Sequence, residues 1–190
     1  MLLKVRIHGA DIRGALGLLP ETAGPRRGAV SPSSVSIMTE YEPPRSREQR
    51  TQDVLERLRQ DEDSWVATAS PDGVPTLVPL SFLWEDGTGT LVMATRRTNP
   101  TAVNVTPRGP FRITLGHTRD VVLIEGEARI VEAADLPTAT KDAFAAKLRG
   151  WRPHGPRWVF LRVTPRTVRA WREENELADR DLMHTGTWLV

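Results

Sequence analysis

Cysteine is absent from this chain of 190 residues, so neither a disulfide nor a thiolate metal site can form. That suits a reducing compartment, and a cytoplasmic location is the expectation. Aromatic side chains other than tryptophan are scarce, with one tyrosine and four phenylalanines. A single-strand nucleic-acid surface wants aromatic rings interleaved with a basic groove, so this composition argues against one. No apolar run approaches the roughly 20 residues of a spanning helix, and no membrane segment is expected. Near the start, residues 15–19 fall short of the roughly 7–15 apolar residues of an export signal. Arg26-Arg27 is followed by Gly, Pro and Ser rather than by an apolar core. Also missing are H-E-x-x-H, G-x-S-x-G, the P-loop and G-x-G-x-x-G after a strand. A hydrolase working with its own side chains therefore has little support.

The net charge of +2 is unevenly spread. Lys4, Arg6, Arg13, Arg26 and Arg27 stand against only Asp11 and Glu21 in residues 1–37, leaving the remainder slightly acidic. The basic character thus belongs to a leader and gives no reason to assign nucleic-acid binding to the body. Residues 1–45 are rich in Gly, Pro, Ser and Arg and lack periodicity. They are expected to be a disordered or extraneous leader, with the folded domain over 46–190. Met38 is a candidate true start, and a native disordered tail is the other reading; mass spectrometry of the native N-terminus separates them.

Beyond the leader the pattern is mostly strand. Ser46 suits an N-cap for a helix over 47–61, whose apolar stripe is Val54, Leu55 and Leu58. Strands are expected over 65–70, 74–84 and 90–95, separated by Pro71-Asp72-Gly73 and Glu85-Asp86-Gly87 turns. A short helix is expected over 99–105, with Pro100 in its first turn. Further strands fall over 110–116, 120–131 and 158–163, the last extending beyond Pro165 through 167–171. Gly126 marks a bulge, and a helix is expected over 133–148. From Arg172 onward the chain reads as a polar tail. About six strands, kinked by glycine and lacking βαβ alternation, predict a mainly β fold: an antiparallel barrel with peripheral helices.

His8, His117, His154 and His184 show no metal-ligand spacing, so no zinc site is expected. The loop Thr95, Arg96, Arg97, Thr98 supplies charge and hydroxyl donors for an anion, although a solvated charge pair is the plainer reading. Val78 to Trp84 offers a flat apolar wall. Pro79 limits that strand in a central ladder and favours an edge, where backbone groups stay free for a ligand. Trp84 and Trp158 read as core or interface residues, and Asn104 as a structural cap.

The run VPTLVPLSFLWEDGTGTLVMATRRTNPTAVNV, residues 74–105, resembles the pyridoxamine 5'-phosphate oxidase-like FMN-binding split-barrel family. So do RDVVLIEGEARIVE and the closing VTPRTVRAWREENELADRDLMHTGTWLV. The resemblance implies a split β-barrel and a homodimer that holds FMN between subunits. It places Val78, Pro79, Leu80 and Ser81 along the flavin ring. It places Thr95, Arg96 and Arg97 at the phosphate, where the loop reading adds Thr98, and Trp171 and Arg180 at the cofactor from the second subunit. One departure stands out. The family's K-A-x-N-L lysine falls on Thr101, so a phosphate contact is lost or replaced by a hydroxyl. The implied activity is FMN-dependent hydride transfer with a small-molecule substrate, and no catalytic side chain is assigned. The alternatives are a reductase using the deazaflavin F-420, with Arg108, Arg112 and Arg119 as further cations, and a non-enzymatic cofactor-binding module.

Overall fold

The computed structural model describes residues 42–190. Met38 and the expected leader up to residue 41 lie outside the described residues. Glu42 and Arg45, within the expected leader of residues 1–45, bond instead to Asn175 and Glu176 near the C-terminus.

The strands are β1 (Asp63–Ala69), β2 (Pro75–Glu85), β3 (Thr90–Arg96), β4 (Arg108–Leu115), β5 (Val121–Val131) and β6 (Trp158–Trp171). They close a six-stranded antiparallel ring in the order β1-β2-β3-β6-β5-β4, sealed by β1–β4 and β3–β6 pairing. The expected mainly β split barrel is therefore present. Two short strands, β7 (Asp181–His184) and β8 (Thr187–Trp188), extend the sheet from β6 outside the ring. By sequence this stretch reads as a polar tail, because Asp181 and His184 are exposed and only Leu182 and Met183 reach the core.

The ring is filled by alternate residues of its strands, including Val66, Phe82, Leu91, Met93, Ile113, Ile124, Leu161 and Val163. This is the period-two burial that antiparallel strands impose. Helix α1 (Arg47–Gln60) adds Val54 and Leu58 to that core, and Ser46 Oγ accepts from Gln49 N–H as the N-cap. Helix α3 (Thr138–Lys147) covers the outer face of β3 and β6, where Val92, Ala94, Leu136, Phe144 and Phe160 make a second cluster. It starts five residues later than periodicity suggests, because Pro137 disfavours helix at the residue before it.

β6 runs without a break through Pro165, and Gly126 explains how. The β5–β6 register slips by one residue there, Gly126 facing Pro165 and Glu125 facing Thr167. A Cβ on Gly126 would overlap the Thr164 carbonyl. The bulge leaves Arg166 outside the ladder, and its carbonyl accepts from Gly186 N–H in the β7–β8 turn.

Candidate functional site at the split of the barrel

The ring opens where β2 and β3 part. β2 pairs with β1 along residues 75–81 but with β3 only from Phe82 to Glu85. β3 meanwhile continues along β6 as far as Arg96. Among the described residues, the β3-side edge of residues 75–81 has no ladder partner.

The alternation of an antiparallel ladder identifies the free groups. Phe82 N–H donates to Glu62 on the β1 side, so even-numbered residues turn their amides that way. Leu77, Pro79 and Ser81 turn theirs to the open side. Pro79 has no N–H, so this edge carries one fewer orphan donor and is blunted against unwanted pairing. Their side chains divide between two faces. Val78 and Leu80 are half-buried, while Pro79 is exposed on the barrel exterior. Ser81 Oγ donates to the Asp63 carboxylate, 2.6 Å away.

Beside this gap sits α2 (Pro100–Asn104), with Pro100 in its first turn. Ala102 and Val105 are buried, and Asn104 Nδ2 donates to Thr68 and Thr76 on β1 and β2 at 3.0 and 3.4 Å. Asn104 is thus structural. Asn99 Nδ2 donates to Thr95 Oγ1 at 2.9 Å and fixes the β3–α2 loop from within. Next to α2 lies a hollow of about 470 Å³ lined by Arg97, Ala102, Val103, Thr106, Ile130 and Val159.

The structure separates the two arginines that the sequence set side by side. Arg96 lies over the Trp158 ring, 5.8 Å from its centre, on the face that α3 covers. Arg97 lines the hollow instead, and its guanidinium forms a bidentate pair with Glu132 at 2.7 and 2.9 Å. That pairing holds the Glu132 carboxyl below its usual range. Thr98 is exposed and Thr101 is buried, so the residue at the lysine position offers no surface charge or hydroxyl here. Arg108, Arg112 and Arg119 face Glu127, Glu125 and Glu173 and form no free basic track.

Trp171 and Arg180 do come together, with the Arg180 guanidinium 5.6 Å from the Trp171 ring centre. The Ala170 N–H to Arg180 C=O bond of 2.9 Å holds the two segments side by side. They lie at the far end of β6, however. Arg96 faces Trp158 at one end of this 14-residue strand, and Trp171 closes the other. At about 3.3 Å per residue a straight strand of this length would span up to roughly 40 Å, so the two groups sit at opposite ends of β6.

Sequence reasoning missed two features. Glu132 stands just past the end of β5 and looks like any solvated acid until its partner is seen. The second is an apolar exterior around the gap, where Trp65, Leu77 and Val103 are 45%, 61% and 58% exposed. Its signal was the apolar character of both parities in β1 and β2, which a one-sided sheet does not need. No helix among the described residues is long and apolar enough to cross a membrane.

The ring end of such a site fits a flavin better than the phosphate end. The open β2 edge supplies donors and acceptors, while the β3–α2 loop supplies one arginine already engaged by Glu132. The fold is similar to that of Campylobacter jejuni ChuZ, at TM-score 0.58 and 10% identity over 76% of this chain and 64% of that one. It is similar to General Stress Protein 26 of Bacillus anthracis, at TM-score 0.52 and 23% identity over 66% and 96%. A conserved hypothetical protein of Mycobacterium tuberculosis, Rv2991, gives TM-score 0.50 and 23% identity over 65% and 85%. No curated protein matches the sequence. The family model for pyridoxamine 5'-phosphate oxidase matches residues 51–172, which take in the whole ring and the split beside α2, and the chain belongs to that family.

Proposed function

We propose that two copies of this chain hold a flavin mononucleotide between them and pass a hydride between it and a small organic substrate. The unpaired edge of β2 at residues 75–81 carries this reading. It is a row of fixed backbone groups on a strand that would otherwise continue its ladder, next to α2, whose Ala102 and Val103 line the hollow.

The flavin, when bound, supplies the redox chemistry. The chain's own residues bind and orient it. Leu77 and Ser81 amides, with the carbonyls of Leu77, Pro79 and Ser81, receive the ring edge, and Val78 and Leu80 back that strand from the core side. Arg97 takes the phosphate, with the exposed Thr98 beside it. Thr95 holds the loop through Asn99, while Arg96 over Trp158 and the buried Thr101 stay out of reach. Trp171 and Arg180 arrive from the second copy, a reading supported by their place at the other end of β6 from Arg97. The apolar exterior of Trp65, Leu77 and Val103 is then covered, which excludes water from the ring and strengthens every polar contact around it.

Purified protein should be yellow, with an oxidised flavin spectrum, and should sediment as a dimer. Absorption shifted to shorter wavelength would instead assign the deazaflavin F-420. That reading is the less favoured, because Arg108, Arg112 and Arg119 are already paired with carboxylates. Bleaching by a nicotinamide reductant, followed by reoxidation with substrate, separates an enzyme from a cofactor store. Monomeric protein that takes up neither cofactor overturns the proposal.

A further inference from the structure

Arg97 is the one charged residue among those lining the hollow beside α2. Its fork is filled from within the chain, since Glu132 accepts two hydrogen bonds at 2.7 and 2.9 Å. A carboxylate held in this way occupies the two parallel donors that a phosphate would use. The pair is also built to exchange. Both side chains are about half exposed, where such pairs are weak and screened by salt. Their backbones, in contrast, are fixed. Arg97 N–H donates to the Arg157 carbonyl at 2.8 Å, and Glu132 directly follows the Val131↔Phe160 pair of the β5–β6 ladder. The side chains can therefore part while their anchors stay in place.

No other group lining this hollow carries a positive charge. Thr101 is buried, Thr95 Oγ1 accepts from Asn99, and Arg96 lies across the sheet over Trp158.

We propose that Glu132 is an internal competitor for the anion site. Its carboxylate holds the Arg97 fork when no phosphate is present, and a phosphate-bearing ligand binds by displacing it. Glu132 then lowers affinity for every phosphorylated ligand and leaves the unphosphorylated form untouched. The identity of the ring rests on the flavin reading, but the exchange of anions at Arg97 does not.

The test is a fluorescence titration of the dimeric protein with FMN and with riboflavin, for wild type, Glu132→Gln, Arg97→Ala and the double variant. Glu132→Gln keeps the shape and removes the charge. It should tighten FMN binding roughly two- to fivefold, as expected for release of an exposed ion pair, and leave riboflavin unchanged. Arg97→Ala should weaken FMN alone, and in the double variant the gain from Glu132→Gln should vanish. An unchanged or weaker FMN affinity in Glu132→Gln overturns the inference, as does an equal gain for riboflavin. If wild type binds neither flavin, the flavin reading fails by itself. Inorganic phosphate then decides the exchange, read from the Arg97 side-chain NMR signal. Tighter phosphate binding by Glu132→Gln upholds it, and equal binding by the two proteins ends it.

Discussion

Two arginine–glutamate pairs, placed at the two ends of the barrel, show what burial does to one chemistry. Glu176, only 4% exposed, receives four N–H donors at 2.8–3.0 Å: the Arg45 backbone, two Arg45 guanidinium nitrogens and the Arg172 backbone. Arg45 also reaches Asp53 at 2.6 Å, which ties the entry of α1 to the segment just after Trp171. Glu132 receives two donors from Arg97 and nothing else, with both partners near half exposure. The first pair is a lock that fixes the Trp171 end of β6. The second is a latch at the end where a phosphate is proposed to bind. Both are bidentate arginine–carboxylate pairs, but burial and two added backbone donors close the first, and solvent access leaves the second open to a ligand.

The lock should give the largest effect. Glu176→Ala leaves the Arg45 guanidinium with Asp53 at 2.6 Å and the more distant Asp120 at 3.7 Å, and leaves the Arg172 N–H without an acceptor. A cost of about 3 kcal/mol is expected, measured as a drop in the urea midpoint. The same contacts, led by the Arg45 hydrogen bonds, bring the Glu176 carboxyl down to about 2 from an ordinary 4.5. A depressed acid stabilises the fold fully above its unfolded value. That stability should persist down to about pH 4.5 and disappear as the pH falls toward 2. Glu176→Gln should flatten this acid limb. An unchanged midpoint in Glu176→Ala would make the two pairs equivalent and end the comparison.

Lys147 sharpens the contrast, being half-buried with no carboxylate in contact. Its ammonium sits 4.2 Å from the Phe82 ring centre and donates to the Leu58 carbonyl at 3.0 Å. Burial pushes it down to about 8 from 10.5, against the opposing pull of Asp61 and Glu62. Below pH 8 the folded and unfolded states both hold the proton, and the full cost of burying the charge is present. Between about pH 8 and 10.5 only the unfolded state holds it, so stability should rise with pH, by up to about 2 kcal/mol. Lys147→Met should remove that rise. A flat profile in wild type would show that the Leu58 and Phe82 contacts fully offset the burial.

The frame of the fold was legible because its signals are local. Pro71-Asp72-Gly73 and the β2–β3 turn set the meander, Ser46 caps α1, and Gly126 forecasts the bulge that lets β6 pass Pro165. β7 was not legible, since two apolar residues, Leu182 and Met183, are too few to show a period. For the candidate site the sequence offers residues to consider and not their arrangement. Arg96 and Arg97 are neighbours in sequence, but Arg96 closes β3 and Arg97 begins the turn after it, and their partners Trp158 and Glu132 lie 62 and 35 positions away. Trp171 and Arg180 read as one cluster with Thr95 only if a second chain is counted, which no single sequence displays.

The latch should give the smallest effect on stability, and that smallness makes it useful. Glu132→Gln removes an exposed pair whose members are solvated once parted. Tm should shift by less than about 2 °C in a calorimetric scan of the ligand-free protein. Raising the salt concentration should screen the wild-type pair and bring the two proteins together. A much larger drop would mean that the pair braces the end of β5 against the β3–α2 loop, as Arg45 and Glu176 brace the other end. Arg97 would then be a structural residue, and a ligand displacing Glu132 would pay with local unfolding. A small shift, combined with the expected gain in FMN affinity, places the two glutamates in different roles: one holds the scaffold still so that the other can let go.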